Sequence, residues 1–211
     1  MMEDTLTITP LGSGQEVGRS CHLLTYETPS NPPTKCTLLL DCGIHPGHSG
    51  MNALPFLDDV PDMAAVDAVL VTHCHLDHAA GLPYLTERTG FRGRVYMTPP
   101  TRSIAGLLLG DYLKLTTTED GNALYTEAEL RACMDRVELV DFHQVIVLPC
   151  GAPGGGPGAA ASAPTSIKFW ALNAGHVLGA AMFMIELGGS LGASSSRHVL
   201  YTGDYSTEDD R

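Results

Sequence analysis

The stretch Thr72-His73-Cys74-His75-Leu76-Asp77-His78 decides the fold prediction, because it follows an apolar run and places three imidazoles and a carboxylate close together. Side chains alternate between the two faces of an extended chain, so His73 and His75 are predicted to project from the same side. If a helix begins directly afterwards, Asp77 and His78 fall in its first turn. Imidazole and carboxylate together suit zinc. The stretch therefore predicts a metal site where a buried strand ends, and an ordinary polar surface loop is the alternative.

Two later segments offer the additional ligands that a pair of cations needs. His176 follows a predicted strand and lies between two glycines, and Asp204 follows another strand in Thr-Gly-Asp-Tyr, where a carboxylate is able to bridge two cations. Each residue alone also allows a structural role, because histidines at strand ends are often structural and Gly-Asp is a common turn. Asp41 follows a further apolar strand, and we expect it to orient a ligating imidazole rather than to bind metal.

Composition and charge restrict the class of protein. The 211 residues are 44% hydrophobic and 17% charged, which is typical of one soluble globular domain. The acidic N-terminus has no apolar run behind it, and no segment has the roughly 18 to 20 apolar residues of a membrane span, so we expect a cytosolic or nuclear protein with no membrane partner. A formal net charge of −12 excludes a broad basic face for nucleic acid. Any contact with RNA must be local, made through metal ions, or supplied by partners.

Short apolar runs alternate with helical patterns along the chain, which indicates an α/β layered domain. The predicted strands are Leu6–Ile8, Cys21–Tyr26, Thr37–Leu40, Ala68–Thr72, Val145–Leu148, Ile167–Leu172, Ala181–Leu187 and His198–Thr202, and the predicted helices are Leu82–Thr89, Thr101–Lys114 and Thr126–Arg136. Two Gly/Ala/Ser-rich segments, 150–166 and 188–197, are predicted to be loops between neighbouring strands. The six scattered cysteines form no Cys-x-x-Cys pair, so we expect reduced thiols.

The candidate site residues resemble, in order, the first four motifs of the metallo-β-lactamase superfamily: Asp41, His73–His78, His176 and Asp204. Three flanking segments are similar to the β-CASP RNA nucleases of that superfamily: Leu11–Cys21, Leu40–Gly47 and Ala174–Phe183. Two more, Gly50–Phe56 and Leu124–Glu127, resemble the branch of endonuclease subunits of the cleavage and polyadenylation specificity factor more than its paralogue in the Integrator complex.

The resemblance implies an αββα sandwich with two zinc ions. One ion would be held by His73, His75 and His176, the other by Asp77 and His78, and Asp204 would bridge them. It also implies hydrolysis of a phosphodiester in pre-mRNA by a metal-bound hydroxide, in the nucleus, together with other subunits of the cleavage and polyadenylation complex.

Family members continue past the fourth motif into the β-CASP cap and then into the second half of the metallo-β-lactamase domain. Those parts bring a further zinc-binding histidine and a histidine proposed as the general acid. We therefore expect residues 1–211 to form a partial metallo-β-lactamase domain, the N-terminal portion of the sandwich without the second half and the cap. Its second zinc site would be incomplete and its activity weak or absent.

Two other functions are compatible with parts of this pattern. A non-catalytic scaffold subunit of the same RNA-processing complex is one, although a scaffold has no chemical reason to retain six ligands. A thioesterase of the glyoxalase type is the other, because the zinc motif alone does not exclude it. The flanking segment at Ala174–Phe183 favours the RNA-processing branch.

Overall fold

The computed structural model describes residues 4–29, 34–119, 123–150, 166–188 and 196–208. The strands in these ranges are β1 (Thr5–Gly12), β2 (Cys21–Thr28), β3 (Thr34–Leu40), β4 (Ala68–Leu70), β5 (Arg94–Met97), β6 (Val137–Leu139), β7 (Ile146–Pro149), β8 (Ser166–Asn173), β9 (Ala181–Leu187) and β10 (Arg197–Tyr201). The α-helices are α1 (Leu76–Ala79), α2 (Leu82–Arg88), α3 (Pro99–Glu119) and α4 (Glu127–Asp135). Among the described helices, none combines the length and the apolarity that crossing a membrane requires.

The strands form two sheets. In the first sheet, β1 to β6 lie in chain order, with antiparallel pairing from β1 to β3 and parallel pairing from β3 to β6. The second sheet is antiparallel throughout and has the order β10-β9-β8-β7. Parallel strands end at the same edge of a sheet. Asp41, which follows β3, therefore lies near the stretch 72–78, which follows β4.

Two hydrophobic clusters lie on opposite faces of the first sheet. One cluster packs the sheet against all four helices, with Val69 and Val95 on the strands facing Leu82 and Leu109 on the helices. The other packs it against the second sheet, where every second residue of β8 and β9 is buried. This alternation is what a half-buried sheet requires. The arrangement confirms the predicted α/β layered domain.

All eight predicted strands and all three predicted helices have counterparts in the structure, but β5 and β6 were not predicted. β5 has only four residues and begins with Arg94, whose guanidinium contacts Glu138. β6 has three residues and follows α4 with a single residue between them. Both join the sheet through parallel pairing with distant strands, which local periodicity does not reveal.

The two predicted low-complexity loops lie mostly outside the described residues, which omit 151–165 and 189–195. The strands on either side of each segment are paired, β7 with β8 and β9 with β10. The assignment of residues 1–211 to one partial domain stays a prediction.

The prediction of six reduced thiols is wrong for one pair. Cys36 on β3 and Cys150 after β7 form a disulfide that joins the two sheets, with Cα atoms 4.8 Å apart. The two residues are 114 positions apart, so the packing of one sheet on the other brings them together and sequence spacing does not. Cys21, Cys42, Cys74 and Cys133 are free and buried.

Candidate metal centre

The candidate site residues lie at the ends of strands from both sheets. The stretch after β4 stays extended through His75, which is the N-cap of α1 with φ −62° and ψ 150°. The short helix then places Asp77 and His78 in its only turn, as the sequence predicted. His176 follows β8 and Asp204 follows β10, so the two sheets contribute to one site.

Close backbone packing holds the segment after β3 against α1. The amide of Cys42 donates to the carbonyl of His78 at 2.9 Å, and the amide of Ile44 donates to the carbonyl of Leu76 at 3.0 Å. A Cβ atom on Gly43 would lie 1.7 Å from the carbonyl oxygen of Asp77. Only glycine permits this approach, which fixes Asp41 relative to the helix.

Four side chains converge on one point: His73, His75, His176 and Asp204. Nε2 of His73 lies 3.0 Å from Nδ1 of His75, which in turn lies 3.3 Å from Nε2 of His176. Oδ2 of Asp204 is 4.0 Å from Nε2 of His73 and 3.7 Å from Nε2 of His176. Donors bound to one tetrahedral zinc ion are separated by about 3.3 to 3.6 Å. Three imidazoles and a carboxylate at this spacing fit a metal ion.

The hydrogen bonds of Thr72 determine which nitrogen of His73 is free. The Thr72 hydroxyl donates to the Asp41 carboxylate, with distances of 2.9 and 3.1 Å to its two oxygens. Its oxygen therefore accepts the proton on Nδ1 of His73, 3.0 Å away. Nε2 of His73 is left unprotonated, and this is the atom that faces the other ligand atoms.

A second group of ligand atoms adjoins the first. Nε2 of His78 lies 3.7 Å from Oδ2 of Asp77 and 3.6 Å from Oδ1 of Asp204. Asp204 thus directs one oxygen toward His73 and His176 and the other toward His78. This is the arrangement a bridging carboxylate requires.

Asp41 does not face the ligand atoms of His73 or His75. It is fully buried, and its Oδ2 atom lies 2.9 Å from Nδ1 of His78. The carboxylate accepts the proton on Nδ1, so Nε2 of His78 is the free nitrogen. Its backbone has φ 61°, an uncommon value for aspartate that recurs at functional sites. Asp41 thus contacts the His78 nitrogen that lies away from the other candidate ligand atoms, which is the geometry of a residue that orients an imidazole.

Burial and charge act differently on the two buried imidazoles. Burial, together with the neighbouring His78, lowers the pKa of His73 to about 4, so its ring is neutral at physiological pH. Burial also opposes the charged form of His78, but the hydrogen bond to Asp41 and the nearby carboxylates outweigh it and raise the pKa of His78. The two buried imidazoles therefore differ in their affinity for a proton, with His78 the stronger base.

Sequence reasoning missed three supporting residues. They are Thr72, which begins the histidine stretch, Ser20 and Tyr201. The Tyr201 hydroxyl donates to Asp41 at 2.8 Å, and Ser20 Oγ lies 3.3 Å from that hydroxyl. A threonine that directly precedes a ligand was a usable signal, whereas Ser20 and Tyr201 reach the site only through the tertiary fold.

The family model described as a metallo-beta-lactamase superfamily domain matches residues 34–211. The chain belongs to the metallo-β-lactamase superfamily. This confirms the predicted superfamily, and a solved B3 metallo-β-lactamase with an active-site glutamic acid supports the predicted fold class. That structure aligns with a TM-score of 0.51 and 14% identity, over 95% of this chain and 62% of the other. At this identity the similarity concerns the fold alone.

Curated relatives confirm the finer resemblance predicted from the flanking segments. Cleavage and polyadenylation specificity factor subunit 3-I of Arabidopsis thaliana is 44% identical over 99% of this chain and 26% of its own length. Endoribonuclease YSH1 of Yarrowia lipolytica is 42% identical over 99% of this chain and 22% of its own length. The fission yeast protein of the same name is 42% identical over 23% of its length. The chain spans about a quarter of the relatives that it matches.

Proposed function

We propose that this chain is the metal-holding part of a zinc-dependent endoribonuclease that cleaves pre-mRNA before polyadenylation. The observation that carries the proposal is the convergence of three imidazole nitrogens and one carboxylate oxygen from both sheets. Identities of 42 to 44% over 99% of the chain to proteins named as endoribonucleases or polyadenylation factor subunits support the choice of substrate.

In this proposal His73, His75 and His176 would hold one zinc ion and Asp77 and His78 would hold a second. Asp204, which directs one oxygen toward each group, would be a ligand shared between them. In such sites zinc lowers the pKa of water and offsets the negative charge of the phosphate.

The role of this chain is to fix the ligands and to keep the correct nitrogens unprotonated. Asp41 achieves this for both groups, directly at His78 and through Thr72 at His73. Because the orienting hydrogen bonds are buried, the ligands require little rearrangement when a cation enters. Preorganised ligands favour tight binding.

The charge of the chain is compatible with a substrate that is contacted locally. With a formal net charge of −12, phosphate groups away from the metal ions gain little from this surface. Other subunits of the cleavage and polyadenylation complex would therefore supply further contacts to the pre-mRNA, and the site of action would be the nucleus.

A chimera tests the proposal. This chain would replace the aligned segment of the Arabidopsis relative, and the purified chimera would be assayed on a single-stranded RNA carrying a polyadenylation site. We expect cleavage that leaves a 3′-hydroxyl. A chimera carrying His176→Ala should fold but lose cleavage by at least about 100-fold.

Two outcomes would contradict the proposal. One is a folded chimera that binds zinc and leaves the RNA intact. The other is a chimera that hydrolyses a glutathione thioester and not RNA, which would indicate a hydrolase of a different kind.

A further inference from the structure

Tyr201 connects the second sheet to the buried carboxylate behind the metal centre. It is the last residue of β10, and its hydroxyl donates to Oδ2 of Asp41 at 2.8 Å across 160 positions of sequence. Ser20 Oγ, 3.3 Å away, is the second polar neighbour of the hydroxyl. Burial and the negative charge of Asp41 raise the pKa of Tyr201 well above its usual range, so the phenol remains a donor.

Tyr201 and His78 donate to the same oxygen of Asp41. Nδ1 of His78 is 2.9 Å from Oδ2, while the amide of Thr72 donates to Oδ1 at 2.7 Å. A carboxylate held on both oxygens is not free to rotate about its Cβ–Cγ bond. Without the phenol, Oδ2 would lose one of the donors that direct it, and a buried charge would be less fully compensated.

We propose that Tyr201 is a positioning residue of the metal centre. Its hydroxyl holds the Asp41 carboxylate in place, and that carboxylate in turn sets the orientation of the His78 ring. The inference rests on the proposed metal-holding role of the site. Tyr201 would then affect how tightly a cation binds at the position formed by His78 and Asp77, in addition to its contribution to packing.

Tyr26 provides a matched control within the same chain. Its ring is buried, whereas the Tyr201 residue is partly buried, and the Tyr26 hydroxyl donates to a carboxylate oxygen of Asp4 at 2.7 Å. Tyr26 packs in the cluster between the two sheets, and neither it nor Asp4 contacts a candidate ligand through any hydrogen bond in the described ranges. Tyr26→Phe and Tyr201→Phe therefore each delete a phenol oxygen that donates to a carboxylate. The Tyr26 bond is remote from the candidate metal centre, whereas the Tyr201 bond reaches the Asp41 carboxylate that contacts His78.

The test is a zinc titration of the purified chain against a competing chelator. We expect Tyr201→Phe to bind the second zinc ion about 10-fold more weakly than wild type, in line with the loss of an outer hydrogen bond at other metal sites. Tyr26→Phe should bind zinc as wild type does. Unchanged affinity in Tyr201→Phe, or an equal loss in both variants, would overturn the inference.

A double-mutant cycle separates positioning from general stabilisation. In an Asp41→Asn background, Tyr201→Phe should cause no further loss of zinc affinity, because the carboxylate through which it acts is gone. Tyr26→Phe should have the same small effect in both backgrounds. Losses for Tyr201→Phe and Asp41→Asn that simply multiply would contradict the inference.

The wild-type chain provides a measurement that does not depend on how Tyr201→Phe folds. In zinc-loaded crystals the phenol should remain within hydrogen-bonding distance of Asp41, and a phenol turned away would contradict the inference. Failure of the proposed function is a different result, because in that case wild type itself would bind no zinc. Zinc binding that is equal in wild type and Tyr201→Phe would contradict only the positioning role.

Discussion

Oδ2 of Asp41 lies 2.9 Å from Nδ1 of His78, although 37 positions separate the two residues. The carboxylate is fully buried, and it also receives the hydroxyl of Thr72, which in turn accepts the Nδ1 proton of His73. One buried charge therefore selects the tautomer of two candidate ligands. We therefore expect Asp41 to affect zinc binding although its side chain is not one of the candidate ligands.

Asp41→Asn should weaken zinc binding by about 10- to 100-fold, because an amide does not accept the same set of protons as a carboxylate. Isothermal titration of the purified variant measures the change. Asp67→Asn is the control, since Asp67 is also buried and accepts the amide of Thr37 at 2.8 Å. A loss of affinity for Asp67→Asn as large as that for Asp41→Asn would show that Asp41 has no special role.

Gly43→Ala should destabilise the fold by about 3 kcal/mol or more, because its Cβ would overlap the carbonyl of Asp77. Gly106→Ala makes the same chemical change within α3, where an added Cβ meets nothing within 4 Å. It should stabilise the fold by roughly 0.5 to 1 kcal/mol. Urea denaturation measures both, and equal effects of the two changes would refute this interpretation of the loop after β3.

The hydrogen bonds of Glu129 predict that the stability of the fold decreases in the acid pH range. Arg88 donates to both of its carboxylate oxygens at 2.9 Å, and with the amide of Thr126 these bonds lower the pKa of Glu129 to about 2. In the unfolded chain a glutamate titrates near about 4.3. The folded carboxylate therefore stabilises the protein above that pH, and the stabilisation is lost as the pH falls from about 4.3 to about 2.

Melting temperatures of wild type and Glu129→Gln between pH 7 and pH 2 test this sign. The melting temperature of wild type should exceed that of Glu129→Gln most near neutral pH, and the difference should shrink in the acid range. Glu127→Gln is the control, because Glu127 pairs with Arg131 on the exposed surface of α4 and such pairs contribute little. A melting-temperature difference that grows as the pH falls would contradict the lowered pKa of Glu129.

Zinc should stabilise the folded chain through the ligands at both sheets. With free zinc at 100 times its dissociation constant, the expected gain is about 2.7 kcal/mol, or roughly 5 to 10 °C in melting temperature. Chelation should reverse the gain, and His176→Ala should abolish most of it. His198→Ala, at an exposed histidine on β10, should retain it. Equal stabilisation of both variants would mean that zinc binds elsewhere.

The local part of the site could be predicted because it depends on spacing alone. His73, His75, Asp77 and His78 follow one strand, and the period of an extended chain followed by a helix turn determines where they project. His176 and Asp204 could be predicted as candidates because each follows an apolar run, and the structure brings both to the stretch at 73–78. Their roles as ligands stay predictions.

Apart from Thr72, which directly precedes His73, the supporting network could not be predicted, because it depends on contacts between distant parts of the chain. Tyr201 reaches Asp41 only when the second sheet packs on the first, and the disulfide between Cys36 and Cys150 has the same origin. The strands β5 and β6 are too short to have a periodic signal, and parallel neighbours define them.

Anomalous diffraction at the zinc absorption edge, from crystals of this chain grown with zinc, locates bound zinc relative to the four candidate ligands. We expect a peak about 2.0 to 2.2 Å from Nε2 of His73, Nδ1 of His75 and Nε2 of His176, with Asp204 as a further ligand. Zinc peaks found only away from these atoms, in crystals where the four side chains are ordered, would contradict the proposed metal site.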